Sequence, residues 1–216
     1  MQPKPVIQTE LFTSSELLKQ PWLPKLTRMI NESYLVSHTD KIKFDPGKIR
    51  LKSDSELSDE LGSDGFTAVA FSDGDVVGTA SMKPWKDESL WKPLDHFATD
   101  AVEDQVNDRI DQILNEVSLP GDYELAVVAL PPTPQIRGKG IAGRLVKICE
   151  EEVLRRRRAT GDNKPVRIMI RVIRENLGDY WRKQGFVPVG AQAGPKAWET
   201  LDPFVMWAMI RELSPQ

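Results

Sequence analysis

Residues 135–142 have the sequence Gln135-Ile136-Arg137-Gly138-Lys139-Gly140-Ile141-Ala142, a loop that carries two glycines and two cations. An apolar run at residues 125–130 precedes the loop and is typical of a buried strand. An amphipathic segment follows and predicts a helix over about 139–158. The first N–H groups of a helix have no partner within the helix, and the helix dipole favours negative charge there. Strand, glycine loop and helix N-terminus together predict a site for a phosphorylated ligand.

Glycines and cations give this loop its expected affinity for an anion. Gly138 and Gly140 have no side chain, so a phosphate can approach the backbone closely at both positions. Arg137, Lys139 and Arg144 add positive charge within the loop or directly after it. We therefore expect backbone N–H groups and these cations to hold the ligand together.

The composition is that of an ordinary globular chain. The 216 residues are 40% hydrophobic and 28% charged, which predicts one domain over residues 1–216. A net charge of -3 weighs against nucleic-acid binding, which usually needs a basic face. Neither a signal-peptide pattern nor an apolar run of the roughly 20 residues that span a membrane occurs. The one cysteine, Cys149, fits a packed thiol in a reducing compartment, so we expect a cytoplasmic protein, with a nuclear location left open.

The remaining segments predict an α/β protein. Strand patterns occur at residues 6–12, 66–71, 76–82, 123–130, 166–173, 185–189 and 204–210. Helical patterns begin at the capping sequence of residues 13–16 and recur at 22–37, 53–61, 139–158 and 177–184. Asp73-Gly74 between two strand patterns predicts a hairpin, and residues 84–120 form a predicted helical insertion. This order predicts a mixed, mostly antiparallel central sheet with flanking helices.

One alternative for the loop is a dinucleotide site, because residues 138–143 satisfy G-x-G-x-x-G. In that arrangement the glycines follow the strand almost at once, whereas residues 131–137 intervene here. The acidic residue that the arrangement places at the end of the next strand also comes too late, at Glu175. A Walker A loop is excluded, since Gly-Lys-Ser/Thr does not occur.

The loop resembles a signature of the GNAT superfamily of N-acetyltransferases. Gln135, Gly138 and Gly140 match the Q/R-x-x-G-x-G/A pattern that cradles the pyrophosphate of acetyl-CoA in that family. A proline follows the preceding strand, and residues 180–186 (YWRKQGF) resemble the aromatic-then-Gly-Phe end of the family's last helix. The order of elements is also similar. The resemblance covers residues 6–211 in outline and is residue-specific over 123–143 and 175–186.

The resemblance implies acetyl-CoA as cosubstrate and a set of residues that bind it. Backbone groups of 128–130 would pair with the pantetheine arm, and N–H groups of 136–142 would hold the pyrophosphate. The N–H of Val128 would polarise the thioester carbonyl, as an oxyanion donor does. The implied cofactor-binding residues are Val128, Ala129, Leu130, Gln135, Ile136, Arg137, Gly138, Lys139, Gly140, Ile141, Ala142, Arg144 and Asn176.

The acceptor amine must lose a proton before it attacks, because an ammonium ion has no lone pair. Glu124 lies four residues before Val128 and eleven before Gln135, and it resembles the general-base glutamate of the histone-acetyltransferase branch. Asp122 and Glu199 are alternative bases, and a solvated carboxylate at a strand end is the structural alternative for Glu124.

A general acid is a separate question. The position at which many family members carry the tyrosine that protonates the leaving thiolate is Trp181 here, and Tyr180 lies one residue earlier. Tyr180 is therefore the candidate acid, although a thiolate leaves readily enough that none is required.

The implied function is transfer of the acetyl group of acetyl-CoA to a primary amine by direct attack in a ternary complex. The acceptor is a small molecule or a protein, and the sequence encodes neither its identity nor the oligomeric state. Trp85 and Trp91 are candidates for lining its cleft. His38 and His96 lack metal-ligand spacing, so no metal is expected. A non-catalytic CoA-binding or sensory module and a dinucleotide-binding oxidoreductase remain as alternatives.

Overall fold

A computed structural model of the protein describes residues 6–36, 49–86, 91–92, 94, 121–161, 164–194 and 204–214. Most of the predicted insertion at 84–120 lies outside the described residues, as do His38, His96 and Glu199. By its internal contacts the chain divides into two compact units. The first contains Met1–Ser37, Ile49–Pro84 and Leu125–Asn163, and the second contains His38–Lys48, Trp85–Glu124 and Lys164–Gln216. The single-domain assignment stays a prediction.

Seven strands form one sheet, as the sequence predicts. They are β1 (Ile7–Thr13), β2 (Phe66–Ser72), β3 (Asp75–Pro84), β4 (Tyr123–Ala129), β5 (Val166–Ile173), β6 (Val187–Gly194) and β7 (Phe204–Leu213). Their order is β1-β2-β3-β4-β5-β7-β6. The pairs β1/β2, β2/β3, β5/β7 and β6/β7 are antiparallel, and β4/β5 is parallel. The predicted α/β class, with a mixed and mostly antiparallel sheet, is confirmed.

The helices of the described residues match the predicted segments, with ends that differ by up to three residues. They are α1 (Ser14–Leu17), α2 (Leu23–Val36), α3 (Glu56–Leu61), α4 (Ile141–Ala159) and α5 (Asp179–Lys183). Helix α4 begins at Ile141 rather than near Lys139, because Gly140 has a φ of 73°, which no helical residue adopts. A π-helical turn, Arg174–Gly178, precedes α5, whereas the sequence predicted one α-helix over 177–184.

In the first unit, local chemistry sets the ends of several elements. Thr13 caps α1 through a capping box, in which its backbone N–H donates to Glu16 Oε2 at 2.8 Å. The hairpin between β2 and β3 turns at Asp73 and Gly74, whose φ values of 52° and 83° are those of a tight two-residue turn. Buried apolar side chains of α1, α2, α3 and β2 form the core on one side of this hairpin, namely Leu17, Leu26, Ile30, Leu57 and Val69.

In the second unit, apolar residues of β5 and β7 form a separate core with Trp91. Its members include Met169, Ile173, Phe204 and Met206. Gly178 ends the π-helical turn where a side chain has no room, since a Cβ there would lie 2.9 Å from Cζ3 of Trp207. Trp91 is only 6% exposed, so it is part of this core.

Candidate active site

The glycine loop has the backbone geometry that its sequence predicts. Gly138 and Gly140 both have a φ of 73°, in the left-handed region that favours glycine. Among the described residues, a Cβ atom at either position would meet no other atom within 4 Å, so space lies beside the backbone. Glycine is therefore favoured here by conformation, and a ligand can approach the bare backbone.

The N-terminus of α4 follows this loop and has no side-chain cap. Its first helical hydrogen bond runs from the Arg144 N–H to the Gly140 carbonyl at 3.1 Å. The N–H groups at the three positions before Arg144 thus have no partner within the helix. Arg137, Lys139 and Arg144 are exposed around them. The arrangement can hold an anion through backbone donors, the helix dipole and three cations.

Two of the predicted phosphate donors already have partners. The N–H groups of Ile136 and Arg137 donate to the carbonyl of Thr133 at 3.1 and 3.0 Å, and this turn leads β4 into the loop. The contacts expected of the loop therefore fall to the N–H groups from Gly138 onward. Gln135 is exposed on the same turn.

Gly78 of β3 lets the end of β4 and the start of α4 pack onto the sheet. A Cβ at Gly78 would lie 2.5 Å from Leu130 Cδ2, 3.1 Å from Leu145 Cδ1 and 3.5 Å from Ile141 Cγ2. These side chains flank the glycine loop on both sides, so the missing side chain at Gly78 sets where the loop begins and ends. No pattern near residue 78 in the sequence indicates this role, because the partners of Gly78 are distant along the chain.

Strand β4 carries the residues predicted to contact the thioester and the base. It pairs with β5 at Tyr123 and Glu124, opposite Ile168 and Met169. The later residues of β4, which include Val128 and Ala129, do not enter that ladder. Val128 is half-buried and Ala129 buried, as are alternating positions of a strand with one covered face.

Glu124 is buried and ion-paired, in contrast to the solvated alternative considered above. It is 4% exposed, and Arg171 Nε donates to its Oε1 at 2.8 Å. Arg171 comes from the neighbouring strand β5, 47 positions along the chain. Burying a carboxylate is costly unless a cation and hydrogen bonds compensate, so this pair is required by the burial itself.

Asp122, the alternative base, forms a second ion pair, with Arg167. Arg167 donates to it from Nη2 to Oδ2 at 2.6 Å and from Nε at 3.2 and 3.3 Å. The backbone N–H of Trp85 donates to the Asp122 carbonyl at 2.9 Å. The indole Nε1 of Trp85 is buried and has no hydrogen-bond partner among the described residues.

Tyr180 and Trp181 occupy opposite environments on α5. Trp181 is 7% exposed and packs edge-on against Phe186, with ring centroids 5.3 Å apart. Tyr180 is 44% exposed, and its ring contacts Trp181 at 5.2 Å. The phenol of Tyr180 thus lies at the surface of this unit. Asn176, the remaining predicted cofactor contact, is half-buried in the π-helical turn.

Other conspicuous residues are structural. Cys149 is fully buried on α4, its thiol donates to the Ala80 carbonyl at 3.3 Å, and burial raises the pKa of the thiol to about 12. In the arginine run at the end of α4, Arg155 and Arg156 both pair with Glu152 at 2.6 and 2.7 Å. Half of that run is therefore bound within its own helix.

The described residues contain no group of three or more His, Cys, Asp or Glu side chains placed to hold a metal ion. Within the same part of the chain, none of the helices combines the length and the apolar character needed to cross a membrane.

Comparison with known proteins gives a likeness of structure without one of sequence. No protein-family model matches the chain, and no curated protein matches its sequence. Among solved structures, it is similar to the GNAT-family acetyltransferase from Streptococcus pneumoniae, with 14% identity, a TM-score of 0.54, and coverage of 97% of this chain and 100% of that one. At such identities the likeness is one of fold.

Two further structures show the same likeness. The ribosomal-protein-alanine N-acetyltransferase from Brucella melitensis has 19% identity and a TM-score of 0.54, over 95% of this chain and 99% of that one. The PaiA N-acetyltransferase from Thermoplasma acidophilum, in complex with coenzyme A, has 16% identity and a TM-score of 0.51, over 94% and 98%.

Proposed function

We propose that this chain, which has the fold of the GNAT-family acetyltransferases, transfers the acetyl group of acetyl-CoA to a primary amine. The observation that carries the proposal is the uncapped N-terminus of α4, preceded by two left-handed glycines and surrounded by exposed cations. Its donors and charge suit a pyrophosphate. The dinucleotide-binding alternative loses its support, because that fold has a mostly parallel sheet.

Acetyl-CoA would bind along β4 and into the glycine loop. Backbone groups of Val128, Ala129 and Leu130 would pair with the pantetheine arm, and N–H groups from Gly138 to Ala142 would hold the pyrophosphate. Lys139 and Arg144 are the cations closest in sequence to these donors, so they would neutralise phosphate charge. The N–H of Val128 would donate to the thioester carbonyl, where negative charge develops.

The reaction balances without a metal or a redox partner. Glu124 takes one proton from the ammonium group of the acceptor, and the amine nitrogen then attacks the thioester carbon. A C–N bond forms, the C–S bond breaks, and the electron pair leaves on the sulfur of CoA. The nitrogen then releases its second proton to water, and the thiolate takes up one proton, either from water or from the exposed Tyr180 phenol, which solvent reprotonates. Glu124 returns its proton to solvent, so one proton is released overall. The products are an N-acetylated amine and CoA.

The acceptor is proposed only as a primary amine, carried by a small molecule or by a protein. One similar structure is of a ribosomal-protein-alanine N-acetyltransferase, which favours including peptide α-amines among the candidates. We also propose that the protein is cytoplasmic.

The test is an acetyl-transfer assay with purified protein, acetyl-CoA and a panel of amines. The panel contains an alanine-initiated tetrapeptide with a free α-amine, Nα-acetyl-lysine methylamide and spermidine. CoA release is followed with a thiol reagent, and the acetylated product is identified by mass spectrometry. We expect one class of amine to be acetylated. Glu124→Gln should lower kcat by about 10²–10⁴-fold while acetyl-CoA affinity stays unchanged.

The alternatives give different results in the same assay. A non-catalytic CoA-binding or sensory module would bind acetyl-CoA and acetylate none of the panel. If the wild type is active and Glu124→Gln retains its full rate and pH profile, acetyl transfer stands but Glu124 is not the base. The same measurement on Asp122→Asn then tests the alternative carboxylate.

A further inference from the structure

A half-buried arginine side chain from β5 contacts the proposed base. Arg171 Nε donates to Oε1 of Glu124 at 2.8 Å, and the two side chains are 26% and 6% exposed. Glu124 lies opposite Met169 in the parallel ladder, and Arg171 follows Met169 by two residues on the same face of β5. The register of two adjacent strands therefore aims the guanidinium at the carboxylate.

The other side of Arg171 is held by an aromatic ring. Its Cζ lies 5.7 Å from the centroid of Trp85, within the range of a cation–π contact. The backbone N–H of Trp85 is bound to the carbonyl of Asp122, two residues before Glu124 on the same stretch of chain. The Trp85 ring, the Arg171 guanidinium and the Glu124 carboxylate thus lie in a row. Trp85, at one end, is hydrogen-bonded to Asp122, which lies two residues before Glu124 at the other end.

This row has a physical consequence for a base. A carboxylate that is 4% exposed is costly to bury without a compensating positive charge, and the Arg171 guanidinium supplies that charge. The contact from Nε also restricts the rotation of the Glu124 side chain about its own bonds. A base fixed in one orientation transfers a proton more efficiently than one that samples several.

We propose that Arg171 is a positioning residue for Glu124, which it holds in one orientation, and that Trp85 holds Arg171 in place. The inference rests on the proposed function. Among the described residues, the positive charges of β5 nearest Glu124 in the strand register are Arg171, which donates to Glu124, and Arg167, which pairs with Asp122.

The Arg167–Asp122 pair supplies a matched control. It joins the same two stretches of chain, its side chains are 12% and 5% exposed, and its contact of 2.6 Å is shorter. If ion pairs at this place only stabilise the fold, loss of Arg167 should cost at least as much stability as loss of Arg171. If Arg171 acts through Glu124, its loss should lower kcat more than the loss of Arg167 does.

The experiment is a double-mutant cycle in kcat, measured with acetyl-CoA and the panel amine that the wild type acetylates fastest. We expect Arg171→Gln to lower kcat by roughly 10- to 100-fold, with the Kd for acetyl-CoA within about twofold of wild type. In the Glu124→Gln background the same substitution should change kcat by less than about twofold, since nothing remains to be positioned. Arg171→Lys should restore part of the rate, and Arg167→Gln should change kcat by less than about threefold.

Thermal unfolding of each variant separates turnover from folding. If Arg171→Gln fails to fold, Trp85→Leu keeps both charges and tests the same row, with an expected loss of about 3- to 10-fold in kcat that also disappears in the Glu124→Gln background. The positioning role would be overturned if the kcat losses of Arg171→Gln and Glu124→Gln multiply in the double mutant, or if Arg167→Gln lowers kcat as much as Arg171→Gln. Either result would leave the proposed acetyl transfer standing. A wild type that acetylates none of the panel amines would overturn the proposed function and this inference with it.

Discussion

Substituting alanine for Gly140 separates the conformational role of this residue from its role in binding phosphate. Gly140 has a φ of 73°, and a Cβ there would meet no atom of the described residues within 4 Å. The new methyl group therefore collides with none of these residues and projects beside the backbone that we propose to hold the pyrophosphate.

The expected magnitudes follow from this geometry. An L-residue in the left-handed region costs about 1–2 kcal/mol, and the reduced freedom of the unfolded chain returns about 0.4–1 kcal/mol. The free energy of unfolding should thus fall by about 1 kcal/mol, or about 2–4 °C in Tm for a chain of this size. Loss of close approach by a phosphate should raise the Kd for acetyl-CoA at least about tenfold, equivalent to about 1.4 kcal/mol.

Gly161 provides the control, because it has the same φ of 73° and the same empty surroundings within 4 Å. It follows the C-terminal end of α4, where its N–H donates to the Arg158 carbonyl at 3.0 Å. The assay is isothermal titration of acetyl-CoA into the two alanine variants, together with thermal unfolding of each. Both should lose similar stability, and only Gly140→Ala should lose affinity. Equal Kd values for the two variants would refute the assignment of the loop to phosphate binding.

Three further predictions concern the surroundings of the loop and the first unit. Gly78→Ala should displace Leu130, because Leu130 Cδ2 would lie 2.5 Å from the new Cβ. The free energy of unfolding should fall by about 1–3 kcal/mol, and unchanged stability and acetyl-CoA affinity would contradict this. Burial raises the pKa of the Cys149 thiol from 9.0 to about 12. As the pH rises, the thiol therefore ionises in the unfolded chain before it ionises in the folded protein. Above pH 9 the free energy of unfolding should fall by up to about 1.4 kcal/mol per pH unit, a slope that Cys149→Ala should remove in urea titrations. Thr67→Val removes a buried hydroxyl 2.8 Å from Ser81 Oγ and should lower the free energy of unfolding, measured in urea, by about 1–3 kcal/mol. A decrease below about 0.5 kcal/mol would show that the Ser81 hydroxyl needs no such partner.

Features set by neighbouring residues were predictable from the sequence. Asp73-Gly74 forms the expected turn because both residues tolerate positive φ, and the cap of α1 at Thr13 needs only a glutamate three positions later. The glycine loop belongs to this class, since its helix N-terminus and left-handed glycines are local properties. Alternating apolar residues likewise predicted β5 over the same eight residues that form it.

Features set by distant partners were not predictable. Residue 178 has no room for a side chain because the Trp207 ring lies 2.9 Å from where its Cβ would be, and nothing near residue 178 in the sequence indicates that ring. The position of β7 between β5 and β6 depends on how strands pair in space. Sequence position made Glu124 a candidate base, but its burial and its pair with Arg171 appear only when β4 and β5 are adjacent.

The most direct test of the proposal is thermal unfolding of the purified protein with acetyl-CoA and, in parallel, with NADH. At about 100 times its Kd, a ligand stabilises the folded state by roughly 2.7 kcal/mol, which is about 5–10 °C in Tm for a chain of this size. We predict that rise with acetyl-CoA and none with NADH. A rise with NADH alone, or no rise with either, would contradict the assignment of the glycine loop to acetyl-CoA.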